Sequence, residues 1–305
     1  MTVTLLPHRG SAVTTELVSA VLPVTSDDPR FASQRIGVAI RDADLALLTV
    51  DIELDTVVLD SDVHSASAAA DFGFSGSVVT VGLDSGADYA AANVATTASG
   101  TAFTLSSAAG SRAVVLSLLG ERHVVPALAA IVLAIHLGAD IDEAIAAVEQ
   151  VTGEGSGDLE LVPAPGGITL IDDSADASPL ATIEALKTVA EIAGESRRSI
   201  AVLGPLALAS DDLIDIRDEH DRVGRIVVRL NIGKLIVVGS GARHLASAAG
   251  LEGSWDGESV LVATPEEAYS LLRTDIREGD VVLVKLTQSS THQVDLRSVI
   301  GGIVA

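Results

Sequence analysis

Apolar positions along this chain follow two spacings, and they divide it into strands and helices. Residues 3–6, 45–50, 56–59 and 77–81 are short apolar runs without helical spacing, so they read as strands, parallel where they are continuous. Helical spacing covers 14–22 and 61–72, and Asp27-Asp28-Pro29 reads as a loop. Residues 89–94, 102–105 and 113–118 alternate around Gly- and Ser-rich turns, the pattern of an antiparallel meander. Residues 126–137 form a strongly apolar helix stopped at Gly138. Asp140-Ile141-Asp142-Glu143 then opens another helix with acids at its positive end.

The Gly- and Ser-rich stretch 151–157 reads as a linker, and it separates a first domain, 1–153, from a second, 158–305. Beyond it, strands at 168–171, 199–203, 234–238, 260–262 and 281–284 alternate with helices near 180–192, 211–230, 242–249, 265–273 and 294–300. Such alternation predicts a parallel sheet covered on both faces, so the fold class is α/β.

Composition narrows the function. Of the 305 residues 48% are hydrophobic and only 2% aromatic, so the cores are built from small aliphatic side chains. No apolar run is long enough to span a bilayer, and the start lacks the basic and apolar regions of a signal peptide. There is no cysteine, hence no disulfide and no thiolate metal site. These features fit a cytoplasmic protein. A formal net charge of -23 repels phosphate backbones and disfavours nucleic-acid binding.

The candidate chemistry centres on Asp172-Asp173-Ser174-Ala175-Asp176-Ala177-Ser178-Pro179, between a predicted strand and a predicted helix. This stretch resembles the Asp-Ser-Tyr-Asn-Ala-Asn-Pro signature of the Mur ligase family, in the branch that adds D-alanyl-D-alanine to the peptidoglycan precursor. The segment from Leu118 to Ala130 is similar to the family's Leu-Gly-x-His-Asn-x-x-Asn-Ala-Leu-Ala-Ala. Ile200 to Gly204 and Gly279 to Lys285 follow in the family's order. The resemblance implies a shortened central ATPase-like domain followed by a Rossmann-like C-terminal domain, without the family's UDP-binding domain.

It also implies a site, and the residues depart from that site in a consistent direction. Where the family's phosphate loop would read Gly-x-x-Gly-Lys-Thr, this chain has Gly10, then Ser11 and Ala12 in place of the lysine and the magnesium-binding hydroxyl. His123 and Pro126 replace two asparagines near the adenine, and proline cannot donate or accept there as an amide does. Asp158 stands where an arginine would hold phosphate. Gly10, Ser11, His123 and Asp173 are the candidate nucleotide contacts; Ser174, Asp176 and Lys285 are the candidate substrate contacts. Asp173 would face a ribose, or else cap the following helix. Lys285 would bind substrate, or else be an exposed strand-end lysine. Glu219-His220-Asp221 reads as an exposed helix face able to hold a metal only weakly.

The expectation is a catalytically degenerate homologue with no cofactor, acting through a protein partner or as a homo-oligomer. The alternative is an ATP- and magnesium-dependent amide ligase completed by a partner chain; a third reading is a small-molecule binding module without turnover. The missing central segment should leave an apolar surface where Leu45, Leu47 and Leu48 stand beside Val57, Val58 and Leu59, covered by the chain's own helices, a second copy or a partner.

Overall fold

A computed structural model describes residues 2–5, 12–22, 35–39, 55–63, 67–71, 74–83, 86–251 and 255–286. The chain divides into two compact units, Met1–Gly153 and Glu154–Ala305.

Among the described residues, the first unit is a sheet in the order β1-β2-β3-β4-β5-β6-β7. Its strands are β1 (Thr2–Leu5), β2 (Arg35–Ala39), β3 (Thr56–Asp60), β4 (Ser77–Gly82), β5 (Tyr89–Thr97), β6 (Gly100–Ser107) and β7 (Gly110–Leu116). Pairing is parallel as far as β5 and antiparallel through the β5–β6–β7 meander. Helix α1 (Ala12–Val21) and the short α2 (Ala68–Asp71) belong to the first part of this unit, α3 (Val124–His136) and α4 (Ile141–Glu149) to the last. Every residue of α3 from Ala127 to Ala134 is buried, as an all-round apolar helix requires. It packs with Val13, Leu17 and Val21 of α1 into one core. Asp140 caps α4, its Oδ1 accepting from the Asp142 and Glu143 amides at 2.8 and 3.4 Å.

Three expectations change here. Strand β2 lies where no strand was read. Within 61–72, a turn occupies 61–63 and the described helix is only Ala68–Asp71. The expected apolar surface does not form at Val57, Val58 and Leu59, which are fully buried on β3 between β2 and β4. Leu45, Leu47 and Leu48 lie outside the described residues.

The second unit is a sheet in the order β12-β11-β10-β13-β9-β8. Its strands are β8 (Glu160–Val162), β9 (Thr169–Asp172), β10 (Ser199–Leu203), β11 (Lys234–Val238), β12 (Glu258–Val262) and β13 (Val281–Lys285). Between them run α5 (Pro179–Ala193), α6 (Leu213–Arg229), α7 (Arg243–Gly250) and α8 (Pro265–Asp275). Strands β9 to β13 pair in parallel, and β10, β11 and β13 are buried along their whole length. The exception is β8, an antiparallel edge strand that the alternation did not foretell. Strand β13 inserts between β9 and β10, so the strand order reverses there. Ligands of open α/β sheets gather at the carboxyl ends of such strands. The opposite, amino-terminal edge is tied by side chains: Arg197 donates to the Gly279, Gly167 and Asp280 carbonyls and to Thr169 Oγ1 at 2.6 to 3.2 Å.

The helix read at 294–300, together with Gly10 and Ser11, lies outside the described residues. Among those described, no helix is long and apolar enough to cross a membrane.

Candidate functional site

The reversal point of the second unit brings together two candidate residues that lie far apart in sequence. Asp173 follows the last residue of β9, and Lys285 is the last residue of β13. Lys285 Nζ donates to Asp173 Oδ2 at 2.5 Å and to the Asp173 carbonyl at 3.1 Å. The two side chains are 2% and 1% exposed. The other carboxylate oxygen, Oδ1, accepts from the Leu159 amide at 3.0 Å, and the Asp173 amide donates to the Val284 carbonyl at 2.9 Å. The aspartate thus links the start of the unit, β9 and β13 in one buried group.

The capping reading of Asp173 and the exposed reading of Lys285 do not hold. Asp173 does not cap α5: Ser178 does, with Oγ accepting from the Ala181 amide at 3.4 Å and Pro179 in the first turn. Lys285 is not an exposed strand-end lysine. Burial of two opposite charges is tolerable only when each satisfies the other and spare acceptors are hydrogen-bonded, as they are here.

The approach of the chain to this pair explains the glycine before it. Gly157 has φ 61°, a left-handed backbone. A Cβ built there would lie 2.8 Å from Ser174 Oγ, and the Ala175 amide donates to the Gly157 carbonyl at 2.8 Å. Ser174 packs over the glycine, and its own amide donates to Asp172 Oδ1 at 3.1 Å. Asp176 is exposed and turns the backbone, accepting from the Ser178 amide at 2.8 Å. Asp158 is buried beside this turn.

Acidity accumulates around Asp172. Glu160 lies directly opposite it across the β8–β9 ladder, and Glu160 Oε2 accepts from the Gly157 amide at 3.1 Å. Burial pushes the Asp172 carboxyl above its ordinary range. Hydrogen bonds from Ser174 oppose the shift, and the charges of Glu160 and Asp173 add to it. Burial, with Asp172 and Glu266 nearby, pushes the Tyr269 phenol up to about 12.

In the first unit, His123 ends a 3-10 turn, Glu121–His123, that leads into α3. It sits at the helix start, but its side chain is buried and makes no capping hydrogen bond. Sequence reasoning also misplaced His220. It is buried rather than on an exposed face. Its Nδ1 lies 2.6 Å from the Ile216 carbonyl, and its Nε2 accepts from the Leu206 amide at 3.2 Å. With Nε2 accepting, Nδ1 carries the proton, and both ring nitrogens hold backbone rather than a metal. The spacing could have shown this, because Ile216, His220, Val223 and Val227 share one helical stripe.

The second unit is thus an open, mostly parallel sheet with a buried carboxylate and lysine at its reversal point. The family model of the Mur ligase glutamate ligase domain matches residues 157–285, within this second unit. Curated relatives of the chain include the UDP-N-acetylmuramoyl-tripeptide--D-alanyl-D-alanine ligase of Mycobacterium leprae, 36% identical over 194 residues, covering 59% of this chain and 37% of that protein. The Mycobacterium tuberculosis protein of the same name is 35% identical over 204 residues, covering 62% and 39%. The chain therefore spans about two-fifths of the length of the curated relatives it matches.

Solved structures extend the likeness of fold to the first unit. The UDP-N-acetylmuramoylalanyl-D-glutamyl-2,6-diaminopimelate--D-alanyl-D-alanyl ligase of Acinetobacter baumannii superposes with a TM-score of 0.75 at 17% identity, covering 99% of this chain and 75% of that one. MurF ligase of Thermotoga maritima, solved in complex with ADP, superposes with a TM-score of 0.73 at 14% identity, covering 100% and 78%.

Proposed function

We infer that this protein is a Mur ligase homologue of peptidoglycan precursor synthesis that has given up ATP-dependent ligation and acts in the cytoplasm through protein contacts. The observation that carries the reading is the Asp173–Lys285 pair. The resemblance would have that carboxylate face a ribose and that lysine bind substrate. Here each charge is consumed by the other below the surface. The sequence changes point the same way. Ser11 and Ala12 remove the phosphate-neutralising lysine and the metal-binding hydroxyl, Pro126 replaces an amide, and Asp158 replaces an arginine. Amide ligation through an acyl phosphate needs the charge on the transferring phosphoryl group to be neutralised. These residues do not fit MgATP.

The second reading is an ATP-dependent amide ligase of the D-alanyl-D-alanine-adding type, completed by a partner chain. It is favoured by 35–36% identity to proteins of that name. Phosphate release separates the two when a partner can be supplied. With MgATP, UDP-N-acetylmuramoyl-tripeptide and D-alanyl-D-alanine, the chain is expected to release no phosphate alone, and to add none when mixed with a source-cell extract depleted of it. Release that depends on both acceptor and amine would overturn the non-catalytic reading.

A further inference from the structure

The outward face of α6 has an order that its own fold does not use. Leu213 and Ile214 are 81% and 62% exposed although both are large aliphatic side chains. Along the same helix, Asp218, Arg222, Arg225 and Arg229 are exposed and Asp221 is half-buried. Positions 214, 218, 221, 222, 225 and 229 are mirror-spaced about the midpoint between Asp221 and Arg222. Two of the three mirror pairs have opposite charge, Asp218 with Arg225 and Asp221 with Arg222, and the third sets Ile214 against Arg229. With Arg217, the charged members of this set line one shallow groove on the helix surface. A helix dipole favours acids in the first turn and bases in the last. It does not reach Asp221 and Arg222 in the middle, and it does not account for the exposed Leu213 and Ile214.

We propose that this face is a homodimer interface, in which two copies of α6 pack antiparallel about a two-fold axis through the midpoint. A two-fold axis requires a self-complementary patch, one where each residue meets the partner of its mirror position. In this register Asp218 meets Arg225 of the second copy and Asp221 meets Arg222, each contact occurring twice. Ile214 lies against the aliphatic stem of Arg229, and Arg217 against Ile226. The present exposed pairs do not prevent this. Asp218 accepts from Arg217 Nε and Nη2 at 3.1 and 2.9 Å, and a carboxylate has acceptor sites to spare. A chain of net charge -23 repels its own copies at long range. Association therefore needs a local patch where opposite charges interleave, and this groove supplies one. A helix of 17 residues is about 25 Å long. One helix pair buries less than the roughly 1,600 Å² of a standard interface, so the dimer is weak and reversible.

Sedimentation equilibrium of the full chain, over about 1 μM to 1 mM to cover weak complexes, tests the register. The wild type is expected to show a monomer–dimer equilibrium. Arg225→Asp alone and Asp218→Arg alone each put like charges opposite one another at two places, and each should weaken the dimer at least about tenfold. The double variant Asp218→Arg/Arg225→Asp restores opposite charges in the same register, and should return to within about threefold of the wild type. A wild type that stays monomeric throughout overturns the proposal. So does a dimer indifferent to the single substitutions, or a double variant no tighter than the singles.

Discussion

Replacing Lys285 by methionine removes the ammonium but keeps most of the side-chain volume. The Asp173 carboxylate then stays 1% exposed, with the Leu159 amide as its described remaining donor to a side-chain oxygen. Breaking a buried pair by deleting one member costs about 3–5 kcal/mol, because the survivor is left charged in a poor solvent. With a urea m-value of roughly 2 kcal/mol/M, that lowers the unfolding midpoint by about 1.5–2.5 M. Removing both charges is far milder: Asp173→Asn with Lys285→Met should lie within about 1–2 kcal/mol of the wild type. Trp255 is the sole tryptophan, lies in the second unit and donates from Nε1 to the Ile232 carbonyl at 3.0 Å. Its fluorescence in urea follows that unit. A Lys285→Met loss below about 1 kcal/mol, the value of an exposed pair, would refute the coupling of these two charges. So would a double variant less stable than the single.

Gly157→Ala should destabilise the second unit by about 1–3 kcal/mol, through a left-handed backbone and the collision with Ser174 Oγ; a change within about 0.5 kcal/mol by the same urea titration would contradict this. Val58→Asp places a charge in a fully buried strand position and should leave no cooperatively folded first unit by circular dichroism; a folded variant with altered self-association would revive the surface reading of β3. Asp275 accepts from Lys234 and Arg198. The Lys234 hydrogen bond, then the Arg198 charge, outweigh burial and hold its carboxyl below the ordinary range. A carboxyl lowered by folding stabilises above its unfolded value, about 3.9, and loses that contribution as pH falls through the folded value. Asp275→Asn should therefore lower stability at neutral pH and flatten the acid limb of urea midpoint against pH. An unchanged acid limb would remove Asp275 from that network.

The second unit was the more legible because its central strands are buried on both faces. Each is a near-continuous apolar run bounded by turns, and β10 and β11 carry the bounds that pattern predicts. Edge and short elements gave weaker signals. Strand β8 is three residues with a glutamate at its start, and β2 begins on an arginine and contains a glycine. The turn that carries Asp173, Ser174 and Asp176 was legible because it lies between a strand and a capped helix. The pairing of Asp173 with Lys285 was not. Lys285 lies 112 residues from Asp173, and nothing local in Val281–Lys285 distinguishes a buried lysine from an exposed one. The periodicity around His220 did carry its burial, and the flanking acids obscured it.

The non-catalytic reading rests on the loss of nucleotide contacts, and calorimetric titration of the chain with MgATP tests that most directly. Each missing charged hydrogen bond costs about 1.5–3 kcal/mol, so binding is expected to be weaker than about 1 mM and to give no saturable heat. Saturable MgATP binding in the micromolar range would contradict the account.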